Sequence, residues 1–94
     1  MKNELAVIIL TWNDFNNTID CLKSILNQNY KKYKIFLIDN NSDDEIFLKT
    51  LGWLKLNYKK DFYKNQIDPK KKISKRIISN YKIFYSRNSK NLGC

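Results

Sequence analysis

The stretch IFLIDNNSDDE, residues 35–45, sets an apolar run, Ile35 to Ile38, directly against seven polar residues, Asp39 to Glu45. Four consecutive branched or aromatic apolar residues suit a strand buried on both faces, as in a parallel sheet. A plain turn needs one or two acids or amides, so a cluster of this size reads as a site as much as a turn. Ser42 and Glu45 have the S-x-x-E spacing of a capping box. That spacing predicts a second helix opening at Asp43, with Ser42 as its N-cap and Ile46, Phe47, Leu48, Leu51, Leu54 and Tyr58 on its apolar face. Gly52 weakens the middle of that helix.

Upstream, LAVIIL at 5–10 is a second continuous apolar run, too short for a helix, and predicts another strand buried on both faces. TWNDFNN follows as a polar loop. From Asn17 to Asn27 the apolar positions Ile19, Leu22, Ile25 and Leu26 form the stripe of an amphipathic helix, with Asn16 or Asn17 as cap and Cys21 as a small core residue at its edge. Downstream, residues 59–75 carry little pattern and predict a solvated loop, with a turn at Asp68-Pro69. Tyr81 to Ser86 predicts a third strand, and RNSKNLGC closes the sequence as a loop.

The order strand, helix, strand, helix, strand implies an α/β fold in which parallel strands are joined by right-handed crossovers. Ligands of open α/β sheets bind at the carboxyl ends of the strands. Those ends carry TWN, DNNSDD and RNSKN, so three polar clusters are predicted to converge on one edge of the sheet. Neither G-x-G-x-x-G nor G-x-x-x-x-G-K-[ST] is present, which removes the dinucleotide fingerprint and the P-loop. A mononucleotide site remains open, because a carboxylate accepts from a base N–H and an aromatic ring packs on a base face.

Composition narrows the classes further. With 94 residues, 43% of them hydrophobic, two Gly and one Pro, the sequence has the makings of one small folded domain. There is no His, and the two cysteines, Cys21 and Cys94, form neither a zinc pattern nor a disulfide framework. No apolar run approaches a membrane span, and no signal peptide is evident in MKNELAVIIL, which predicts a cytoplasmic location or a peripheral one at the inner face of the membrane. The net charge of +9 is uneven: residues 1–52 hold 6 Lys against 7 acids, and residues 53–94 hold 12 Lys and Arg against 2 acids. Such asymmetry suits a face for phosphates, nucleic acid or anionic lipid, and equally the Lys-rich usage of an AT-rich genome. The stretch from Tyr58 to Tyr85 interleaves basic and aromatic residues, but it carries no recognised nucleic-acid motif.

These residues carry a resemblance. Thr11-Trp12-Asn13 after an apolar strand, Leu22-Lys23-Ser24-Ile25-Leu26-Asn27-Gln28 in a helix, and Asp39-Asn40-Asn41-Ser42-Asp43-Asp44 after the next strand resemble, in order and spacing, the opening of family 2 glycosyltransferases. Asn91-Leu92-Gly93-Cys94 resembles the N-x-G loop that follows that family's third strand. The Asp39-Asn40 variant is similar to that of rhamnosyltransferases. The likeness covers about residues 5–48 and 81–94, and residues 53–80 are longer and more basic than the pattern needs.

The resemblance implies an incomplete GT-A (Rossmann-like) domain, β-α-β-α-β with a parallel sheet. It also implies an inverting enzyme that moves a sugar from a nucleotide-diphosphate donor to a cell-envelope glycan or lipid-linked acceptor. Asp39 would accept from the base, usually uracil, and Trp12 would lie against it. Thr11 and Asn13 would line the loop under the nucleoside, Asn41 would belong to the same nucleotide-binding set, and Asn91 would lie near the ribose and diphosphate. The family's metal motif for Mg or Mn, its catalytic carboxylate and its acceptor region belong downstream of position 94. The expectation is therefore that residues 1–94 are the N-terminal portion of such a domain, truncated before the metal-binding motif, with no catalytic or metal-ligating residue of its own and no sugar transfer alone. Expected partners are a nucleotide-diphosphate sugar, an anionic membrane surface reached through the Lys-rich 55–76 region, and a chain that completes the domain. A non-catalytic half-domain that binds a nucleotide or a partner is the alternative, and a basic nucleic-acid binder ranks below it.

Overall fold

The computed structural model of the chain describes residues 4–66 and 79–88. Its elements follow in the order β1 (Leu5–Thr11), α1 (Phe15–Leu26), β2 (Tyr33–Asp39), α2 (Asp44–Tyr58), β3 (Phe62–Gln66) and β4 (Ile83–Arg87). The four strands are all parallel, in the sheet order β1-β2-β4-β3. The α/β class and the parallel sheet agree with the sequence reading, and the expected third strand is β4.

The additional strand, β3, lies where a loop was expected. FYKNQ has only two apolar residues at its start, so its pattern is weak. Its place explains it: β3 is an edge strand paired in register with β4, from Phe62 opposite Ile83 to Gln66 opposite Arg87. An edge strand needs one good neighbour and tolerates polar side chains. Asp61 anchors its start, because its carbonyl accepts from the N–H groups of both Lys82 and Ile83.

One layer of helices covers one face of the sheet. The odd-numbered positions, Ile35 and Leu37 of β2 with Ile83 and Tyr85 of β4, pack against Ile19 and Leu22 of α1 and Phe47, Leu51 and Leu54 of α2. Burying one such side chain stabilises by about 1.5–3 kcal/mol relative to leaving it exposed, so this layer supplies most of the driving force. On the opposite face Phe36 stacks on Phe84, with ring centroids 5.0 Å apart, and Tyr63 and Tyr81 close over the β4 end.

Several sequence expectations are corrected here. β1 is not buried on both faces: it is an edge strand, and Ile8 and Leu10 are 69% and 54% exposed. Cys21 is exposed rather than in the core, because Thr18, Ile19 and Leu22 take the inward stripe of α1. Helix α1 opens earlier than the Asn caps suggested, with Asp14 as N-cap accepting from the Asn17 N–H. Such a cap contributes about 1 kcal/mol. Helix α2 is capped at Asp43, not Ser42, and has no side-chain cap; Asp44 and Glu45 still favour its start through the macrodipole. Leu48 faces solvent, and Thr50 sits inside with its hydroxyl on the Ile46 carbonyl.

Candidate nucleotide site

The site is built where β1, β2 and β4 end. Residues Thr11, Asp39 and Arg87 lie side by side across the sheet. The Asn40 N–H donates to the Thr11 carbonyl (2.8 Å), and the Asn88 N–H donates to the Asp39 carbonyl (2.8 Å). The three ends are thus laced together one residue past the last sheet pair. The predicted convergence of TWN, DNNSDD and the start of RNSKN is what the fold produces.

Two asparagines turn the chain out of the sheet. Asn13 and Asn41 have φ of 47° and 64°. That left-handed region is reached by few residues other than glycine, and Asn is foremost among them. The two loops are then tied to each other. The Asn13 N–H donates to Ser42 Oγ (2.8 Å), and the Asp43 N–H donates to Asn13 Oδ1 (2.7 Å). Ser42 is therefore no helix cap. It joins the loop after β1 to the turn after β2, and this occupies the hydroxyl that a capping box would use.

Asp39 is 2% exposed. Its Oδ2 accepts from the Ser42 N–H at 2.8 Å, and its Oδ1 accepts from the Ser42 hydroxyl. Arg87 Nε stands 3.8 Å from Oδ2. Arg87 Nη2 donates to the Ser42 carbonyl (2.6 Å) and to Asp44 Oδ1 (2.8 Å), and its guanidinium lies over the Phe47 ring. One planar cation thus serves two carboxylates, a carbonyl and an aromatic face, a combination that suits Arg and not Lys. Its Nε is buried with no hydrogen-bond partner. Beneath the turn, the Tyr85 phenol is pushed well above its ordinary range, first by burial and then by the negative charge of Asp39.

Arg87 was not singled out from the sequence. The available signal was its place at the end of the third predicted strand, opposite the acidic turn, in a chain whose other cations are nearly all Lys.

The predicted residues fall into two groups. Thr11 and Trp12 line a hollow of about 260 Å³ together with Leu10, Asp14, Asn17 and Cys21, beside the outer edge of β1. Trp12 is 55% exposed there. The Thr11 hydroxyl is 2.6 Å from that of Thr18, which ties it to α1. Asn13, Asp39 and Asn41 do not line this hollow: the first two are held in the loop-to-turn network and Asn41 is exposed beside it. Asn91, and with it the NLGC resemblance, lies outside the described residues. A larger hollow of about 700 Å³ lies elsewhere, between α2 and β3, lined by Gly52, Lys55, Leu56, Lys59, Phe62, Tyr63 and Lys64. It takes in the described part of the Lys-rich region; the turn at Asp68-Pro69 lies outside the described residues.

Among the described residues no group of three or more Cys, Asp or Glu could hold a metal ion. The nearest acids, Asp39 and Asp44, both face Arg87. The described residues therefore do not fit the divalent metal that the resemblance implies. No helix among the described residues is long and apolar enough to cross a membrane. The chemistry on offer is binding: a half-exposed aromatic ring, hydroxyl and amide groups beside it, and a charge-balanced turn behind.

Residues 6–50 match the family model for glycosyl transferase family 2. The match runs from β1 into the first half of α2, so it contains the loop after β1 and the turn after β2. This segment is similar to that family, and the similarity supports a glycosyltransferase-like function. No curated protein and no solved structure matches the chain significantly.

Proposed function

We propose that the chain binds a nucleoside-diphosphate sugar at the carboxyl ends of β1 and β2, as the nucleotide-binding part of a glycosyltransferase-like domain. The observation that carries this reading is the joining of the Thr11–Asn13 loop to the Asp39–Asp43 turn, inside the segment that matches the family. Trp12 packs on the base, Thr11 and Asn13 support the nucleoside, and Asp39 and Asn41 present acceptors, with uracil the preferred base. Asn91 belongs to the diphosphate side of the same set. In the whole domain the donor sugar is transferred with inversion to a cell-envelope glycan or lipid-linked acceptor, and the Asp39-Asn40 variant favours a rhamnosyltransferase-like subtype. A divalent metal and the catalytic base come from outside the described residues. The cytoplasm supplies such donors, and Lys55, Lys59 and Lys64 around an apolar hollow suit contact with an anionic membrane surface at its inner face.

A second reading, a non-catalytic binding module, is favoured by one observation: the Asp39 carboxylate is already engaged by Ser42 and Arg87. On the first reading nucleotide binding serves transfer in a larger domain; on the second the module holds a nucleotide or a partner without turnover.

Calorimetric titration of UDP into the 94-residue chain tests the proposal. Trp12→Ala removes an exposed ring and leaves the fold in place. Stacking of a base on an aromatic ring is worth about 1–3 kcal/mol, so affinity is expected to fall between about fivefold and a hundredfold. Saturable UDP binding that is indifferent to Trp12, or no binding to the folded chain, ends the proposal.

A further inference from the structure

The family match ends at residue 50, and β3, the strand that the sequence pattern did not announce, follows it. Helix α2 joins the two regions and carries two stripes. Phe47, Leu51 and Leu54 turn to the sheet and are buried. Gly52, Lys55, Leu56 and Lys59, at i, i+3, i+4 and i+7, form the second stripe. That stripe shares the lining of one hollow, of about 700 Å³, with Phe62 and Lys64 of β3. Phe62 and Lys64 stand opposite Ile83 and Tyr85, so they lie on the helix side of the sheet. The whole lining, from Gly52 to Lys64, falls beyond the segment that matches the family.

Its size is within the range of about 300–1,000 Å³ usual for small-molecule sites. Its floor is apolar: Leu56 is 85% exposed there, and Phe62 is half-buried against the core. Its rim is cationic. Lys55 and Lys59 stand on the α2 side, Lys64 Nζ lies 5.7 Å from the centre of the Phe47 ring, and no acid lines the hollow among the described residues. Lysines at the end of a helix complement its macrodipole, which accounts for Lys59 but not for the exposed leucine beside it. Gly52 is a further sign. Glycine inside a helix costs stability relative to alanine, and here a Cβ would meet nothing within 4 Å. Packing against the described residues does not call for glycine at this position; its effect is to deepen the hollow.

We propose that this hollow holds one anionic phospholipid of a membrane surface, with the phosphate among Lys55, Lys59 and Lys64 and a length of acyl chain along Gly52, Leu56 and Phe62. The pairing of an apolar floor with a cationic rim selects this occupant. A free phosphate or an acidic peptide would use the lysines and leave Leu56 uncovered. A neutral apolar ligand would leave the cationic rim unanswered. Single-stranded nucleic acid stacks on open aromatic faces, whereas Phe62 packs on the core and Tyr63 against Tyr81 and Phe84. The proposal rests on the membrane contact proposed above and narrows it to one bound molecule; it does not depend on the nucleotide site.

Amide NMR of the full chain with monomeric decyl phosphate, below its micelle concentration, tests the site. Saturable shifts are expected at Gly52, Leu56, Phe62 and Lys64, whereas inorganic phosphate leaves Leu56 and Phe62 unmoved. Gly52→Leu fills the hollow, keeps the charge and suits a helix. It is expected to weaken decyl phosphate by about tenfold, the equivalent of two methylenes kept out of apolar contact, with unchanged far-UV circular dichroism. Sedimentation with vesicles then separates a held lipid from attraction to the surface. The wild-type chain is expected to bind vesicles of phosphatidylglycerol with phosphatidylcholine and not phosphatidylcholine alone, and Gly52→Leu to bind them by about the same factor more weakly. An added leucine strengthens a chain held only at the surface, so equal or tighter vesicle binding by Gly52→Leu overturns the proposal. No binding of the wild-type chain to the anionic vesicles, no shifts with decyl phosphate, or equal shifts with inorganic phosphate also overturn it. UDP titration is expected to be the same in Gly52→Leu and wild type, so failure of the lipid site leaves the nucleotide reading standing, and the reverse.

Discussion

β1 and β2 are each seven residues long, parallel, and paired with one another along their whole length. Their surroundings differ. Every second residue of β2, from Tyr33 to Asp39, is buried beneath the helices, and β4 closes its far side. No residue of β1 is fully buried, and among the described residues no strand pairs with its other side. Apolar content alone does not separate the two strands, since LAVIILT is the more apolar sequence. What separates them is the number of neighbours. A strand's sequence states the environment it fits, and its place in the sheet order decides the environment it receives.

The sharpest way to break this comparison is a matched pair of truncations. Leu37→Ala in β2 empties a fully buried position and is expected to cost about 2–5 kcal/mol. Leu10→Ala in β1 removes a side chain that is more than half exposed and is expected to cost under about 1 kcal/mol in the monomer. Urea unfolding at low protein concentration reads both. Equal losses would mean that β1 has a hidden neighbour within the monomer.

The next largest effect belongs to the end of β2. Arg87→Met leaves Asp39 buried without its cation and leaves the Ser42 carbonyl and Asp44 without their donor. The expected loss is about 2–3 kcal/mol, below that of a fully buried pair because a quarter of the Arg87 side chain is in solvent. Adding Asp39→Asn is expected to recover part of it, and a strictly additive double mutant would show that the two residues are not coupled.

Ser42→Ala follows, at about 1–2 kcal/mol, because the Asn13 N–H and Asp39 Oδ1 each lose a partner. The main chain at Ser42 keeps its own bond to Asp39. Hydrogen exchange at Asn13 is expected to quicken in this variant while exchange in β2 stays slow; unchanged exchange at Asn13 would remove Ser42 as the tie between the loops.

The smallest effect at neutral pH comes from Tyr85. Its folded-state pKa is raised above the ordinary value of 10.0 by burial and by Asp39. The unfolded chain therefore loses that proton first as pH rises. The resulting stabilisation is fully present below about pH 10 and is lost as pH climbs above it. Tyr85→Phe is expected to flatten that part of the alkaline decline, and an identical profile in the variant would assign the decline to other groups.

Much of the fold was legible because three signals are local. Apolar runs gave β1 and β2, the spacing of Ile19, Leu22, Ile25 and Leu26 gave α1, and strand–helix alternation gave parallel pairing and hence the edge where the polar loops meet. Less legible was whatever depends on a distant partner. β3 exists because β4 offers it a ladder, and FYKNQ carries too little pattern to announce that. Ser42 fits a capping box in sequence, yet Asn13, 29 residues away, takes its hydroxyl. Arg87 and Asp39 meet only across β2 and β4. The exposure of Cys21 follows from which face of α1 turns inward, and an edge residue of the stripe does not decide that. The same limit holds for the site. The polar loops that hold Thr11, Asn13 and Asp39 were placed by the strand ends, but the partition that leaves Trp12 in an outer hollow and Asp39 in a closed turn depends on contacts across the sheet.

The measurement that bears most directly on the central claim is a residue-by-residue map of UDP-sugar binding by amide NMR on the 94-residue chain. A nucleotide site at the ends of β1 and β2 predicts saturable shifts at Thr11, Trp12, Asn13 and through Asp39–Ser42, with the Gly52–Lys64 hollow unmoved. Shifts gathered around Lys55, Lys59 and Lys64 instead, or none at saturating ligand, would contradict it.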